Sequence, residues 1–216
     1  MGNTMDNPFT PEMFDRMDES EDTHFYASPR KVVHIDDPAI AAVGTFMAQT
    51  FAPNGLLLDL MSSWRSHLPT GFVKQRMIGL GLNAEEMADN PDLDEHIVQN
   101  LNTTSRLPFA ENYFDGAVVT VSVQYLIRPL EIFGEVRRVL KPGAPFIVFF
   151  SNRMFPTKAV RVWQTLRDER RAELVSAYFH FAGGYDEAVF HDLSPNPGVT
   201  DPLYAVWARK SSTQAS

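Results

Sequence analysis

The sequence predicts an α/β fold, doubly wound around a mostly parallel seven-stranded sheet whose last strand is antiparallel. Three observations predict it. From Gly55 onward, short apolar runs bounded by turn residues alternate with helical patterns, and that alternation implies a parallel sheet covered by helices. The segment Pro129 to Leu140, PLEIFGEVRRVL, has helical periodicity and stops at Lys141-Pro142-Gly143, which leads into another apolar run. The last two strand candidates, Glu187 to Asp192 and Leu203 to Arg209, are joined by LSPNPGVTDP. That linker is too short and too broken by Pro and Gly for a parallel crossover, so the two strands should pair antiparallel.

In chain order, the opening MGNTMDNPFTPEMFDRMDESED is acidic, with apolar positions too irregular for a long helix, and reads as a mobile arm. Asp37 to Phe51 then places Ile40, Val43, Phe46, Met47 and Phe51 at helical spacing, with Asp37 as N-cap before Pro38. Strands are expected at Gly55 to Leu60, Arg76 to Leu80, His96 to Leu101, Phe114 to Val121 and Ala144 to Phe150, where apolar runs sit between turn residues. Short helices are expected around Ser62 to Leu68 and Ala84 to Ala88. A longer helical region runs from Pro156 to about Phe181 and stops at Gly183-Gly184. Residues 1–54 are expected to form an arm and helix acting as a lid, and residues 55–216 the core.

Composition narrows the function classes. At 216 residues, 44% hydrophobic and 21% charged, the chain can bury one sizeable core. No apolar run approaches the ~20 residues of a membrane-spanning helix. The first thirty residues are acidic and interrupted by Pro8, Pro11 and Pro29, unlike a secretory signal. A cytoplasmic protein without a membrane partner is expected. The chain has no Cys, which excludes disulfides, thiolate catalysis and Cys-ligated zinc, and its six His show no short metal-ligand spacing. No metal is expected. A net charge of -8 opposes binding to nucleic-acid phosphates, so the expected partner is a small molecule, uncharged or cationic.

The segment LPFAENYFDGAVVTVSVQYLIRPLEIFGEVRRVLKPGAPFIVFF resembles the middle of the type 11 methyltransferases, in which LPF, an acidic turn, FD, a buried strand, a helix ending RVLKPGG and another strand follow in order. More narrowly, the chain resembles a bacterial and plant branch of that family through FYASPRKVVHID, LDLMSSWRSHLP, QNLN, SVQYL, FFSNRMFPTKAVRVW and DPLYAVWARK. The resemblance implies a class I S-adenosylmethionine (SAM) dependent methyltransferase with a Rossmann-like fold, SAM as cofactor and a small-molecule methyl acceptor. Five parallel strands, a sixth and a reversed last strand are typical of that class. No G-x-G-x-x-G follows the first strand, which weighs against a nicotinamide-dependent oxidoreductase.

In an open parallel sheet the ligand sits beyond the carboxyl ends of the strands, near the switch point beside the first strand. Asp59, Met61, Ser62 and Ser63 lie there. The resemblance implies a Gly-rich turn after Asp59, and this chain instead has Met61-Ser62-Ser63-Trp64-Arg65. The hydroxyls of Ser62 and Ser63 are the expected ligands of the methionyl carboxylate, aided by the following short helix. At the end of the second strand the family's acidic residue, which accepts from the ribose hydroxyls, is replaced by Gly81. Asn83, Glu85 or Glu86 is then expected to supply an acceptor. After the third strand Asn100 and Asn102 flank Leu101 where an Asp often meets the adenine; turn chemistry explains the same Asn residues equally well.

The fourth strand ends at Thr120, Val121 and Ser122, the expected floor of the methyl-transfer site, with Tyr125 beside it as an orienting phenol or a core tyrosine. Asn152 and Arg153 follow the fifth strand at the same edge. Tyr26, Arg30 and His34 are dense on the arm, where such a cluster on a loop hints at function. His34 or His67 is the expected general base if the acceptor carries a proton. The second reading is a protein of this fold that binds or regulates without transferring methyl groups.

Overall fold

The computed structural model describes residues 7–212, and the first six residues of the expected arm lie outside that range. The strands are β1 (Leu56–Leu60), β2 (Arg76–Gly81), β3 (Glu95–Val98), β4 (Gly116–Thr120), β5 (Pro145–Phe150), β6 (Val189–Asp192) and β7 (Tyr204–Arg209). They form one seven-stranded sheet in the order β3-β2-β1-β4-β5-β7-β6. The register is parallel from β3 through β5. Strand β7 pairs antiparallel with β5 and with β6, as expected from the broken linker before it. The central strands LLLDL and PFIVFF are buried along their whole length, because helices cover both faces and leave no side for polar residues. The edge strands β3 and β6 are largely exposed.

The helices are α1 (Asp22–Phe25), α2 (Asp37–Thr50), α3 (Ala84–Ala88), α4 (Pro129–Val139), α5 (Arg161–Thr165) and α6 (Asp168–Ala182). Helix α2 covers one face of the sheet, where Val43, Phe46 and Met47 pack with Leu57, Val118, Ile147 and Ala205. Helices α4 and α6 cover the other, where Phe133, Val136, Val175 and Phe179 meet Leu58, Phe146 and Val206. Each cluster removes a continuous apolar surface from water, and this burial is the main stabilising contribution. None of the helices among the described residues is long and apolar enough to cross a membrane.

Several local expectations are corrected. The N-cap of α2 is Asp36, whose carboxylate accepts from Ala39 N at 3.0 Å, and Asp37 is the first helical residue. The region 156–181 is two helices, α5 and α6, divided where Leu166 and Arg167 turn extended. The third strand ends at Val98, and Asn100 to Thr104 form a turn on Asn100. No helix forms at Ser62 to Leu68. Met61 and His67 adopt positive φ there, Pro69 follows, and two serines in the segment hydrogen-bond to Asp59 instead of continuing a helical ladder. The arm is packed from Phe9 on, with the Phe9 ring 5.3 Å from Tyr178 and 5.7 Å from Phe181.

Candidate functional site

Because β2 and β3 lie on one side of β1, and β4 and β5 on the other, the order in which strands are added reverses beside β1, and the connections leaving in opposite directions open a crevice at the carboxyl ends. A cleft fills that position, with about 930 Å³ of empty space, part of it open to solvent. Residues after β1 (Met61, Ser62, Ser63), at and after the end of β2 (Gly81, Asn83, Glu86) and after β3 (Asn100, Leu101, Asn102) line it. Thr120, Val121, Ser122 and Tyr125 close the β4 end, and the arm supplies Asp22, Tyr26, Arg30 and His34 as a wall. Three expected residues stand elsewhere. Asp59 and His67 line an adjoining hollow beneath the turn, and Asn152 is exposed outside the cleft.

The turn after β1 is built on Asp59. Its buried carboxylate takes hydrogen bonds from Ser62 Oγ and Ser66 Oγ, both 2.6 Å from Oδ2. Ser66 Oγ also accepts from Asn90 Nδ2 at 2.9 Å. Burial outweighs these bonds and pushes the Asp59 carboxyl up to about 6. The turn then crosses the end of β2. A Cβ on Gly81 would lie 2.2 Å from the Ser62 carbonyl oxygen, so no acidic side chain can occupy that position. The carboxylate nearest this place in the cleft lining is that of Glu86, a residue 8% exposed. Its Oε1 accepts from Arg30 N and its Oε2 from Ser63 Oγ, each at 2.5 Å. Each carboxylate oxygen keeps a second lone-pair direction for a ligand hydroxyl.

Other side chains that resemble ligand groups on paper are already engaged. Asn83 caps α3 by accepting from Glu86 N and donates to Tyr26 O at 2.9 Å. Asn102 donates to Asp22 Oδ2 and Tyr125 O and accepts from Ile127 N. Among the described residues that line the cleft, two buried donors have no protein partner: Arg30 Nη1 and Thr120 Oγ1. Arg30 is held by donating from Nη2 to Phe25 O at 2.8 Å and by its guanidinium lying 4.2 Å from the Phe25 ring centre. A buried guanidinium N–H without a partner costs free energy that an anionic ligand group would recover.

The far end of the cleft is aromatic. Phe155 stacks on Tyr125 with ring centres 6.0 Å apart and meets the His34 ring edge-on at 5.2 Å. Tyr125 Oη accepts from Phe155 N at 2.8 Å, and burial raises the phenol above its ordinary range, so it stays protonated. Burial also raises Tyr26, with the nearby Tyr125 adding to it. Burial lowers His34, with the Arg30 charge adding to it, against a smaller upward pull from Glu86. Desolvation and the Arg65 charge lower His67 to about 4. Both imidazoles are therefore neutral near pH 7. Val121 takes φ +45 at the β4 end, an unusual strain for a β-branched residue and of the kind found at functional sites.

Sequence reasoning missed Asp22, Leu82, Leu126 and Phe155 as lining residues. Phe155 stands in FFSNRMFPTKAVRVW, and its placement depends on the loop after β5 folding back over β4. Asp22 is one acid in the run Asp18 to Asp22, distinguished by its tertiary partners Arg16, Asn102 and Lys158.

Residues 73–148 match the family model described as a methyltransferase domain. Over 80 residues the chain is 34% identical to the biotin biosynthesis bifunctional protein BioHC of Teredinibacter turnerae, a match that covers 36% of this chain and 14% of that protein. The chain thus spans a small part of that relative's length. Among solved structures it is similar to a chain in the complex of the Haloferax volcanii Trm112 methyltransferase activator with a methyltransferase, with TM-score 0.60, 14% identity and 82% and 92% of the two chains covered. It is also similar to a SAM dependent methyltransferase from Aquifex aeolicus, with TM-score 0.55, 15% identity and 94% and 99% covered.

Proposed function

We propose that this chain, which has the class I SAM-dependent methyltransferase fold and a methyltransferase domain match over its centre, binds SAM in the cleft and transfers a methyl group to a small molecule. The observation that carries the reading is the pairing of a buried acceptor, Glu86, with unpartnered donors, Arg30 Nη1 and Thr120 Oγ1, around a cavity at the switch point. Those groups suit a ligand bearing ribose hydroxyls and a carboxylate.

In this reading Glu86 accepts from the ribose hydroxyls, Arg30 holds the methionyl carboxylate, and Leu101 and Leu126 offer apolar surface to the adenine. Bound there, SAM supplies a methyl group already activated by a sulfonium. The chain's work is then mainly alignment and exclusion of water. Tyr125, kept protonated, orients the acceptor by donating a hydrogen bond. His34, kept neutral, accepts the acceptor's proton; His67 lines the adjoining hollow and not the cleft.

Glu86→Gln and Arg30→Gln should each weaken binding of the demethylated product, S-adenosylhomocysteine, by about tenfold, since each removes one charge-assisted contact. Calorimetry on the two variants checks it, and unaltered affinity in both would displace the cofactor from this cleft.

We further place the lid in Asp22 to Asp36 within residues 1–54, because α2 belongs to the sheet's cover and the Tyr26 to Arg30 backbone is tied to Asn83 and Glu86. Hydrogen exchange over His24 to Val33 should slow when the product is added. Identical exchange with and without it counts against a lid.

A second reading, binding without transfer, draws on one observation: the turn after β1 crosses β2 at Gly81 and commits the Ser62 and Ser63 hydroxyls to Asp59 and Glu86. It predicts no affinity for SAM.

A further inference from the structure

A second groove adjoins the cleft and shares three of its residues, His34, Val121 and Tyr125. Beyond them it is walled by Val33, Ile35 and Met154 and ends at Arg153, Asp36 and Asp201. Any molecule in this groove therefore meets the cofactor cleft only at the imidazole of His34, the phenol of Tyr125 and the strained Val121.

The far end is rigid. Asp36 Oδ2 accepts from Asp201 N at 2.8 Å, and Asp201 Oδ2 accepts from Asp36 N at 3.0 Å. Asp36 Oδ1 caps α2. Asp201 Oδ1 takes both Nε and Nη2 of Arg153, at 2.9 and 2.6 Å. The Asp36 charge is offset by the positive end of a helix of 14 residues, and the Asp201 charge by Arg153. Both carboxylates are thus spoken for. Arg153 is not: only two of its N–H groups are used, and an arginine has five. Its side chain is 60% exposed. The inner end carries the other unused group, since neither ring nitrogen of His34 has a hydrogen-bond partner among the described residues.

We infer that this groove is the acceptor site and that it takes a small hydroxy- or amino-carboxylic acid with an apolar body, its carboxylate on Arg153 and its O–H or N–H on His34. The assignment rests on the methyl-transfer reading and narrows it. The chain's net charge of -8 argues against anionic ligands at long range, but that field is screened within about 10 Å at ordinary salt, so the local guanidinium decides selection at contact. The side chains of Val33, Ile35, Val121 and Met154 give the groove apolar walls besides its polar ends, which favours a ligand with an apolar body.

The test uses the full chain saturated with S-adenosylhomocysteine and matched pairs of acid and primary amide: 3-hydroxybenzoate with 3-hydroxybenzamide, and 4-hydroxyphenylacetate with 4-hydroxyphenylacetamide. Affinities are read by ligand-detected NMR titration. At least one acid should bind about tenfold more tightly than its amide, with Arg153→Gln abolishing the preference, as expected for a charge-assisted contact. His34→Gln should weaken the hydroxy acid more than its O-methyl counterpart. If no acid is preferred over its amide, or if the preference survives Arg153→Gln, the acceptor assignment is overturned while the cofactor reading stands. If the product itself fails to saturate the chain, both fall.

Discussion

Asp59→Asn should abolish a pH dependence of stability amounting to about 3 kcal/mol in the wild-type protein. The Asp59 carboxyl titrates at about 6 in the fold, against an ordinary value of 3.8, because it is fully buried and its serine partners only partly offset desolvation. A carboxyl with a raised folded-state pKa favours the fold in its protonated form. That contribution is fully present below about pH 4 and is lost as pH rises toward and through 6. Two pKa units correspond to about 3 kcal/mol. In the asparagine variant the group is uncharged at every pH, so the difference in unfolding free energy between the two proteins should drift by that amount between pH 4 and pH 7. Urea denaturation across the range measures it, and a constant difference would refute the burial argument. Asp59→Ala should add a second effect. It shows the same drift with pH, because the titrating group is gone, and in addition strips the acceptor from two buried hydroxyls, Ser62 and Ser66, at a further cost of about 2 to 4 kcal/mol.

Lys158→Met should release the arm. The ammonium is fully buried and donates to Ser20 O at 2.6 Å while lying 3.2 Å from Asp18 Oδ2 and 3.5 Å from Asp22 Oδ1. Methionine fills the volume but leaves the buried Asp22 with Arg16 as its remaining cation. Removing one partner from a buried pair costs about 3 to 5 kcal/mol. The lower end is expected here because Arg16 stays at 2.6 Å. Trypsin cleavage at Arg16, Arg30 or Lys31 should accelerate by about a hundredfold if local opening becomes ~3 kcal/mol easier. A cleavage rate equal to wild type would show that the aromatic contacts of Phe9 and Phe14 hold the arm by themselves.

The sheet was legible in the sequence because its central strands are short runs of Leu, Val, Ile and Phe that must be buried on both faces, and because LSPNPGVTDP cannot carry a crossover helix. The site was legible as a place. Met61, Ser62, Ser63, Asn100, Asn102 and Thr120 were identifiable from the ends of strands, and the cleft gathers them. Their hydrogen bonds were not legible. Ser62 and Ser63 donate to Asp59 and Glu86, and Asn102 ties Asp22 to Tyr125. These pairs are set by tertiary distances that no local pattern encodes.

The arm shows the same division. Its Phe and Met residues lack periodicity because they are anchors spaced along a 3-10 turn and a loop, with Phe9, Met13 and Phe14 against the core. Gly81 is the clearest case. Its missing side chain looks like a lost ribose ligand in sequence, and in three dimensions it is clearance for the Ser62 carbonyl.

Titration of the wild-type protein with SAM and with S-adenosylhomocysteine by isothermal calorimetry tests the central claim most directly. Saturable binding of both at one site per chain is predicted, with a dissociation constant on the order of micromolar, about 8 kcal/mol, and a matching rise in melting temperature. A folded protein that releases no heat with either compound, and whose melting temperature neither compound moves, would contradict the account.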